Sequence, residues 1–357
     1  MSVPSEMKAW RVHIGKPEPF LTEVPVPKPG ADELLVTILA AGDCTIMGFS
    51  EPLPGWKPEF TLGHEGAGEI VQVGSNVKDG GFAVGDKVTI LIVPGCNKPS
   101  CPVCSNDMHR ICRDPESGNY GLGVDDGFFA EYVTVKARAA VKVPEGIDIA
   151  AAAVSADAVL TAYHAVRYIA DVQPNQTIAI YGLGGLGLNA LQIAQHLGVK
   201  QIFVVDKRQE TVDAAIKLGV PKERAFCTDD PKATRIEQYV AEKQVNIDTS
   251  IDFVGHTDTF HSAQFAVRGG GTMVLVGLIS PALQLIPLVS VSKAITIKCH
   301  YNGSKKALVE CLDLMAKGVI QPKVETDSVQ NLPKVLKDLD EGRIKSRMVL
   351  LPDWKKT

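Results

Sequence analysis

Four cysteines crowd into one loop, CNKPSCPVCSNDMHRIC, as Cys96, Cys101, Cys104 and Cys112. Soft thiolates so close together, with Cys101-x-x-Cys104 as a knuckle, suit a single tetrahedral zinc. Four sulfurs close the coordination sphere, so such a metal is structural rather than catalytic. His109 falls inside the same loop, either as a competing ligand or as a surface polar residue. A second, dispersed set consists of Cys44 after the strand-like ELLVTILAA, His64 and Glu65 between glycines in TLGHEGAG, and Asp157 in SADAVLTAYHA. A zinc that acts on substrate needs three protein ligands and an open position. Cys44, His64 and Asp157 offer those three, and each also has a plainer reading: a buried thiol, a satisfied structural histidine and a helix N-cap.

The third chemical signal is Gly182-Leu183-Gly184-Gly185-Leu186-Gly187, set between the strand TIAIY and the helical LNALQIAQHLG. In that context Gly182 permits a tight turn, Gly184 lets the backbone approach a pyrophosphate, and Gly187 lets helix and strand pack closely. The N–H groups around Gly185 and Leu186 then point at the phosphates from the positive end of a helix. Asp206 closes the next strand, VVD, about 20 residues on, where a carboxylate binds ribose hydroxyls and repels a 2′-phosphate. NAD is therefore expected over NADP, with Lys207 and Arg208 as adjacent cations that soften the preference.

Two kinds of scaffold must position these groups. Up to about residue 150 the chain is rich in Gly and Pro, with short β-type runs such as GEIVQVG, DKVTILIV and AEYVTV between turn signals, which predicts a largely antiparallel β domain. From Ala150 strand and helix alternate, which predicts a parallel sheet covered by helices on both faces. The tail LPKVLKDLDEGRIKSRMVLLP adds a helix and a closing strand. With 357 residues, 45% hydrophobic and 22% charged, the chain can bury two cores. A net charge of −4 with scattered Lys and Arg argues against nucleic acid or an anionic membrane as partner. No signal core and no apolar run near the ~18 residues of a spanning helix is read, so a cytoplasmic protein with reduced thiols is expected.

Taken in order, GHEGAGEIVQVG, VGDKV, the Cys-rich loop, DGFFAEY, YGLGGLGLNALQIA, IDFVG, MVLVGL and GRIKSRMVL resemble the zinc-containing medium-chain alcohol dehydrogenase family over nearly the whole chain. The phrase ADAVLTAYHA is similar to that of the secondary-alcohol dehydrogenase and carbonyl reductase branch, in which Asp is the third zinc ligand. The resemblance implies an α/β chain: a GroES-like β-rich catalytic domain, residues 1–152 completed by 304–357, and a doubly wound Rossmann domain, residues 153–303. It implies two zincs, a catalytic one on Cys44, His64 and Asp157 with Glu65 as a neighbour that joins the metal during turnover, and a structural one on the four-cysteine loop. It further places Thr161 near the nicotinamide, Val254, Val276 and Leu278 along the cofactor, and Arg347 on the pyrophosphate.

Two departures from the family stand out. The gap between Cys96 and Cys101 is longer than usual, and the family's Cys-His-Ser/Thr-Asp becomes Cys44-Thr45-Ile46-Met47. Ile46 cannot relay a proton, so Thr45 is the candidate substitute, with His164 as a candidate far end of the relay. The implied activity is NAD-dependent interconversion of a secondary or primary alcohol and a carbonyl, in a homodimer or homotetramer. Two alternatives accompany it: a metal-poor reductase of activated double bonds, and a nucleotide-binding homologue without catalysis. Trp56, Phe60, Tyr120 and Phe128 read equally as substrate pocket or as core.

Overall fold

Strands dominate the chain up to Lys142, as the short apolar runs between turn residues require. The computed structural model describes residues 3–42, 55–77, 81–230 and 232–354. It divides into one unit of residues 1–160, 303–318 and 322–357 and another of residues 161–302 and 319–321.

In the first unit, β1 (Glu6–His13) and β2 (Lys16–Pro25) form a three-stranded sheet with the short β4 (Glu59–Thr61), while β3 (Glu33–Gly42) belongs to a larger one. That larger sheet has seven strands. It runs from β3 through β5 (Glu65–Val73) and β6 (Lys87–Ile90) to β8 (Ala140–Lys142), with β7 (Tyr132–Lys136) on the other side of β3. The second edge comes from the C-terminus: β15 (Val324–Ser328) pairs with β16 (Arg347–Leu351), and β16 pairs antiparallel with β3. Leu34, Val36, Ile70, Val88, Ile90, Val133 and Leu350 from these strands share one core with Phe60, Tyr120 and Phe128. Those three aromatics are therefore core, each of the phenylalanines contributing about 1.5–3 kcal/mol by burial.

A helical run carries the chain out of this sheet. Asp148 caps α1 (Ile149–Val154), its Oδ1 accepting from the N–H groups of Ala150 and Ala151. A π-turn over Ser155–Val159 follows, then α2 (Leu160–His164) and a second π-turn over Ala165–Ile169. Asp157 is thus inside a widened turn and not an N-cap, because the helix has already started at Asp148. The expected domain boundary after 152 likewise falls within α1, which does not break there. The run Ile149–Ile169 also corrects the expectation that no segment reaches spanning length: its best window has a mean hydropathy of 1.4. Alanines make it apolar despite Asp157 and Arg167. That window is 83% buried, the property of a core helix.

The second unit alternates as expected. β9 (Thr177–Tyr181), α3 (Gly187–His196), β10 (Gln201–Asp206), α4 (Gln209–Lys217), β11 (Ala225–Cys227) and α5 (Ile236–Lys243) make its first half. β12 (Ile247–Asp252), α6 (Thr257–Ala266), β13 (Val267–Leu275), α7 (Pro287–Ser292) and β14 (Thr296–Cys299) make its second. All neighbouring strands are parallel, in the order β11-β10-β9-β12-β13-β14. This is the doubly wound order in which the two halves diverge from β9 and β12, and ligands bind beyond the strand ends at that divergence. The chain then returns to the first unit through α8 (Lys305–Ala316) and α9 (Leu332–Asp340).

Candidate functional site

The four cysteines meet as their spacing predicts. Their Sγ atoms all lie within 4.8 Å of one another, with Cys96 and Cys104 3.7 Å apart and Cys101 and Cys112 3.8 Å apart. A disulfide needs a separation of about 2.05 Å. Sulfurs at ~2.3 Å from one tetrahedral zinc sit about 3.8 Å from each other, which is the separation of these two pairs. The donor set therefore fits zinc and closes around it. Two short turns deliver the ligands, Cys104–Asn106 and His109–Ile111, and the longer first gap is accommodated by Asn97 in the left-handed region, φ 56°. Lys98, within that gap, grips both oxygens of Asp114 at 3.0 and 2.8 Å. Burial pushes the Cys104 thiol up to about 12, whereas the N–H groups of Cys104 and Val103 pull Cys101 down to about 7. Among the described residues His109 is not part of the cluster, and it lies 3.4 Å from Asp107 instead.

The dispersed set converges in the first unit. Cys44 and Thr45 lie outside the described residues, but His64, Glu65, Asp157 and Arg347 are all buried and all in contact. His64 Nε2 is 3.6 Å from Asp157 Oδ2. Nitrogen and oxygen bound to one tetrahedral zinc at ~2.1 Å would be about 3.4 Å apart, so these two atoms fit a shared metal with a small adjustment. Arg347 Nε donates to both oxygens of Glu65 at 3.0 Å, and its Nη2 donates to Glu65 Oε1 at 2.6 Å and to Asp157 Oδ2 at 2.9 Å. The resemblance places Arg347 on a pyrophosphate; in the structure its guanidinium is bonded to two carboxylates. Asp157 Oδ2 has lone pairs for both Arg347 and a metal.

Local backbone explains how the carboxylates come together. Strand β5 begins at Glu65 itself, and Val349, Gly42 and Glu65 align across β16, β3 and β5. A Cβ on Gly42 would sit 2.5 Å from Glu65 Oε2, so the glycine is the space that the carboxylate occupies. The π-turn around Asp157 turns the Ala158 N–H towards Glu65 Oε1, at 3.2 Å. Such turns widen a helix locally and are frequent at functional sites. Complete burial, with the Asp157 charge adding to it, holds the Glu65 carboxyl above its ordinary value against the pull of Arg347.

In the second unit a cavity of about 660 Å³ opens over the Gly-rich turn. Gly182, Gly184, Gly185, Leu186 and Gly187 line it, with Asp206, Lys207 and Val254. Gly187 has no room for a side chain because its Cβ would run into the Gly182 carbonyl. Gly184 faces open space, where the nearest atom to an added Cβ is Arg208 Nη2 at 3.9 Å. An empty cradle before a helix N-terminus is what a pyrophosphate requires. Asp206 Oδ2 accepts from the Leu183 N–H at 2.6 Å and its Oδ1 from the Arg208 N–H at 2.9 Å, which fixes the acid beside the glycine turn, where a ribose-binding carboxylate is expected. Thr161, Val276 and Leu278 do not line this cavity: the first two are buried and Leu278 is exposed. His164 packs face to face on His300, ring centroids 4.9 Å apart. Tyr181, Glu237 and Ser262, which also line the cavity, were not singled out from the sequence, although Tyr181 directly precedes the glycine turn.

Comparison with known proteins agrees with this geometry. Residues 30–145 match the alcohol dehydrogenase GroES-like domain, and residues 185–317 match the zinc-binding dehydrogenase family. An alcohol dehydrogenase of Geobacillus stearothermophilus is 31% identical over 96% of this chain and 98% of its own length. Alcohol dehydrogenase 1 of Emericella nidulans is 33% identical over 92% of this chain and 93% of its own. The structure of acetophenone reductase from Geotrichum candidum in complex with NAD superimposes with a TM-score of 0.86 at 31% identity, covering 98% of both chains. With both domain types in order, a dinucleotide cradle and a four-thiolate zinc site, the chain belongs to the zinc-binding medium-chain alcohol dehydrogenase family, NAD-dependent oxidoreductases that interconvert alcohols and carbonyl compounds.

Proposed function

We propose that this protein uses a catalytic zinc on Cys44, His64 and Asp157 to interconvert a medium-sized, mainly apolar secondary alcohol and its ketone, primary alcohols being poorer substrates. The observation that carries this reading is the approach of His64 Nε2 to Asp157 Oδ2, 3.6 Å apart, both side chains being buried. When bound, the zinc polarises the substrate oxygen and the nicotinamide exchanges hydride with the carbon that bears it. His64 and Asp157 hold the metal, and Arg347 fixes the Asp157 carboxylate while balancing its charge and that of Glu65. Glu65, next to His64 and within reach of the same guanidinium, is the carboxylate that would approach the metal during turnover. Thr45 takes the place of the relay hydroxyl that Ile46 cannot supply, an exchange that affects a step contributing about 10²–10⁴-fold.

The test is zinc content per chain, measured alongside NADH oxidation with ketones and with enones. Two zincs and ketone turnover support the reading. One zinc without ketone turnover overturns it in favour of a double-bond reductase or, if enones also fail, of a binding protein.

Assembly is proposed as a homodimer or homotetramer seated on the edge of the nucleotide sheet. All four residues of the edge strand β14 are exposed, and Leu288 and Val291 of the adjacent α7 are 82% and 76% exposed. An open strand edge is a template for pairing with a second strand. Sedimentation of the wild-type protein and of Ile297→Lys is the check: a wild-type monomer, or an unchanged oligomer in the variant, removes this seam.

A further inference from the structure

Among the polar side chains of the dinucleotide cavity beyond the glycine turn and Asp206, three are bonded to one another. Tyr181 ends β9, Glu237 lies in the first turn of α5 and Ser262 lies on α6, and all three line the cavity. Ser262 Oγ donates to Glu237 Oε2 at 2.7 Å, and Tyr181 Oη lies 3.4 Å from Ser262 Oγ. Because the serine has one proton and gives it to the carboxylate, the phenol must be the donor in its contact with the serine. The chain of bonds therefore runs from Tyr181 through Ser262 and ends on Glu237, an acceptor only. Among the described residues no Lys, Arg or His forms an ion pair with Glu237. The neighbouring Arg235 directs its Nη1 to the Thr228 carbonyl at 2.6 Å.

The position of this acceptor follows from the sheet. With the pyrophosphate at the glycine turn and the ribose at Asp206, the base of a dinucleotide is the next group outward. Asp206 is paired with Cys227 on β11, and the residues after β11, Thr228 and then the start of α5, form the adjoining wall of the same cavity. Ile236 and Val254 supply apolar surface there for a flat ring. Adenine brings an exocyclic amine, a donor. Hypoxanthine or guanine brings a carbonyl oxygen at the same ring position and moves the proton to ring N1, so a carboxylate aimed at the exocyclic group meets an acceptor there and must shift to reach N1–H.

We propose that Glu237, aimed by Ser262 and Tyr181, reads the base of the cofactor by accepting a hydrogen bond from the adenine amine. The inference rests on the NAD reading and adds base selectivity to it. A site that accepts a hydrogen bond from one group disfavours an analogue that presents an acceptor in its place, here a carbonyl oxygen facing the Glu237 carboxylate.

The test is direct binding, by NADH fluorescence and calorimetry, of NADH and of its hypoxanthine analogue, reduced deamino-NAD. Wild-type protein is expected to prefer NADH by tenfold or more. Glu237→Gln, whose amide can turn to donate to a carbonyl, is expected to lose that preference or reverse it. Ser262→Ala should lower it by a smaller factor. Asp206→Asn serves as the contrasting variant, weakening both dinucleotides alike without changing their ratio. A purely structural role for the three residues would lower thermal stability and both affinities together, with the ratio intact, and that result overturns the proposal. Equal binding of the two dinucleotides by wild-type protein overturns it too, while leaving the cofactor reading standing. If neither dinucleotide binds, the cofactor reading fails and base selectivity fails with it.

Discussion

The two clusters of candidate metal ligands in the first unit are built on opposite plans. The four-cysteine cluster is local, made of like groups, and complete: Cys96 to Cys112 lie on one loop, with two sulfur pairs at 3.7 and 3.8 Å and all four within 4.8 Å of one another. The other cluster is assembled from distant residues of mixed charge, Arg347 reaching Glu65 across 282 positions and Asp157 across 190. Only the second can hold its charges together without an ion, because Arg347 faces both carboxylates. A structural metal thus joins the Lys98–Asp114 pair in closing the loop. The dispersed set is held instead by the bonds of Arg347 to Glu65 and Asp157, the rigidity that the catalytic role proposed for it requires.

The sharpest way to break this comparison is to remove one ligand from the closed cluster. Cys104→Ser should release one of the two zincs, leave ketone turnover by the remaining folded fraction, and lower the thermal midpoint by roughly 10 °C. Structural zinc contributes several kcal/mol or more, and each kcal/mol moves the midpoint of a unit this size by about 2–4 °C. Zinc analysis and calorimetry decide it; an unchanged metal content would show that the loop holds no metal. Next in size is Arg347→Met, which leaves two buried carboxylates without their cation and should cost about 3–5 kcal/mol. Adding Glu65→Gln to that variant should restore part of the loss, whereas Glu65→Gln and Cys104→Ser should simply add, since the two clusters share no partner. Urea unfolding of the singles and doubles measures both couplings. Additivity between Arg347 and Glu65 would mean that their bonds carry no net stability.

The sequence announced the two clusters unequally, for physical reasons. The cysteine loop and the glycine turn are local: ligand spacing or strand-turn-helix order is itself the geometry, so Cys96 to Cys112, Gly182 to Gly187 and Asp206 were legible one residue at a time. His64 and Asp157 were legible as residue types, but their meeting depends on β5 and a π-turn that no local pattern marks. Arg347 was found and given another role, because nothing near GRIKSRMVL encodes a partner on a strand that is nearly the whole chain away. Gly42 was invisible for a related reason, since its lack of a side chain has meaning only once Glu65 lies opposite it.

Gly42→Ala tests that last point and is expected to come third. The new methyl group would meet Glu65 Oε2 at 2.5 Å and the Met348 carbonyl at 3.3 Å, so the carboxylate must move within a site where it is fully buried. A cost of about 1–3 kcal/mol is expected, as for other overpacked positions. The effect should be selective. Zinc bound at His64 and Asp157 should be lost to a chelator sooner than in the wild type, while the cysteine-bound zinc is lost at the same rate. Equal acceleration of both would mean that the substitution loosens the whole unit and does not act through Glu65.

The smallest effect separates metal release from ordinary carboxylate titration, both of which weaken the protein in acid. Glu33 and Lys136 face each other across β3 and β7, with Lys136 Nζ 2.7 Å from Glu33 Oε1. Partial burial alone would raise the Glu33 carboxyl, but Lys136, the Gly30 N–H and Arg138 together bring it below 4.5. With the folded value depressed, the native state holds fewer protons than the unfolded chain between the two values. Its contribution is therefore present above about pH 4.5 and disappears as pH falls through the folded value. Solvent screens this pair, so Glu33→Gln should cost under about 1 kcal/mol near neutral pH and nothing in strong acid. Protonation of thiolates and loss of zinc strike wild type and variant equally and cancel in their difference. The gap between the two stability curves should therefore narrow on acidification, and a gap that widens would show that Glu33 is stabilised as the acid rather than as the carboxylate.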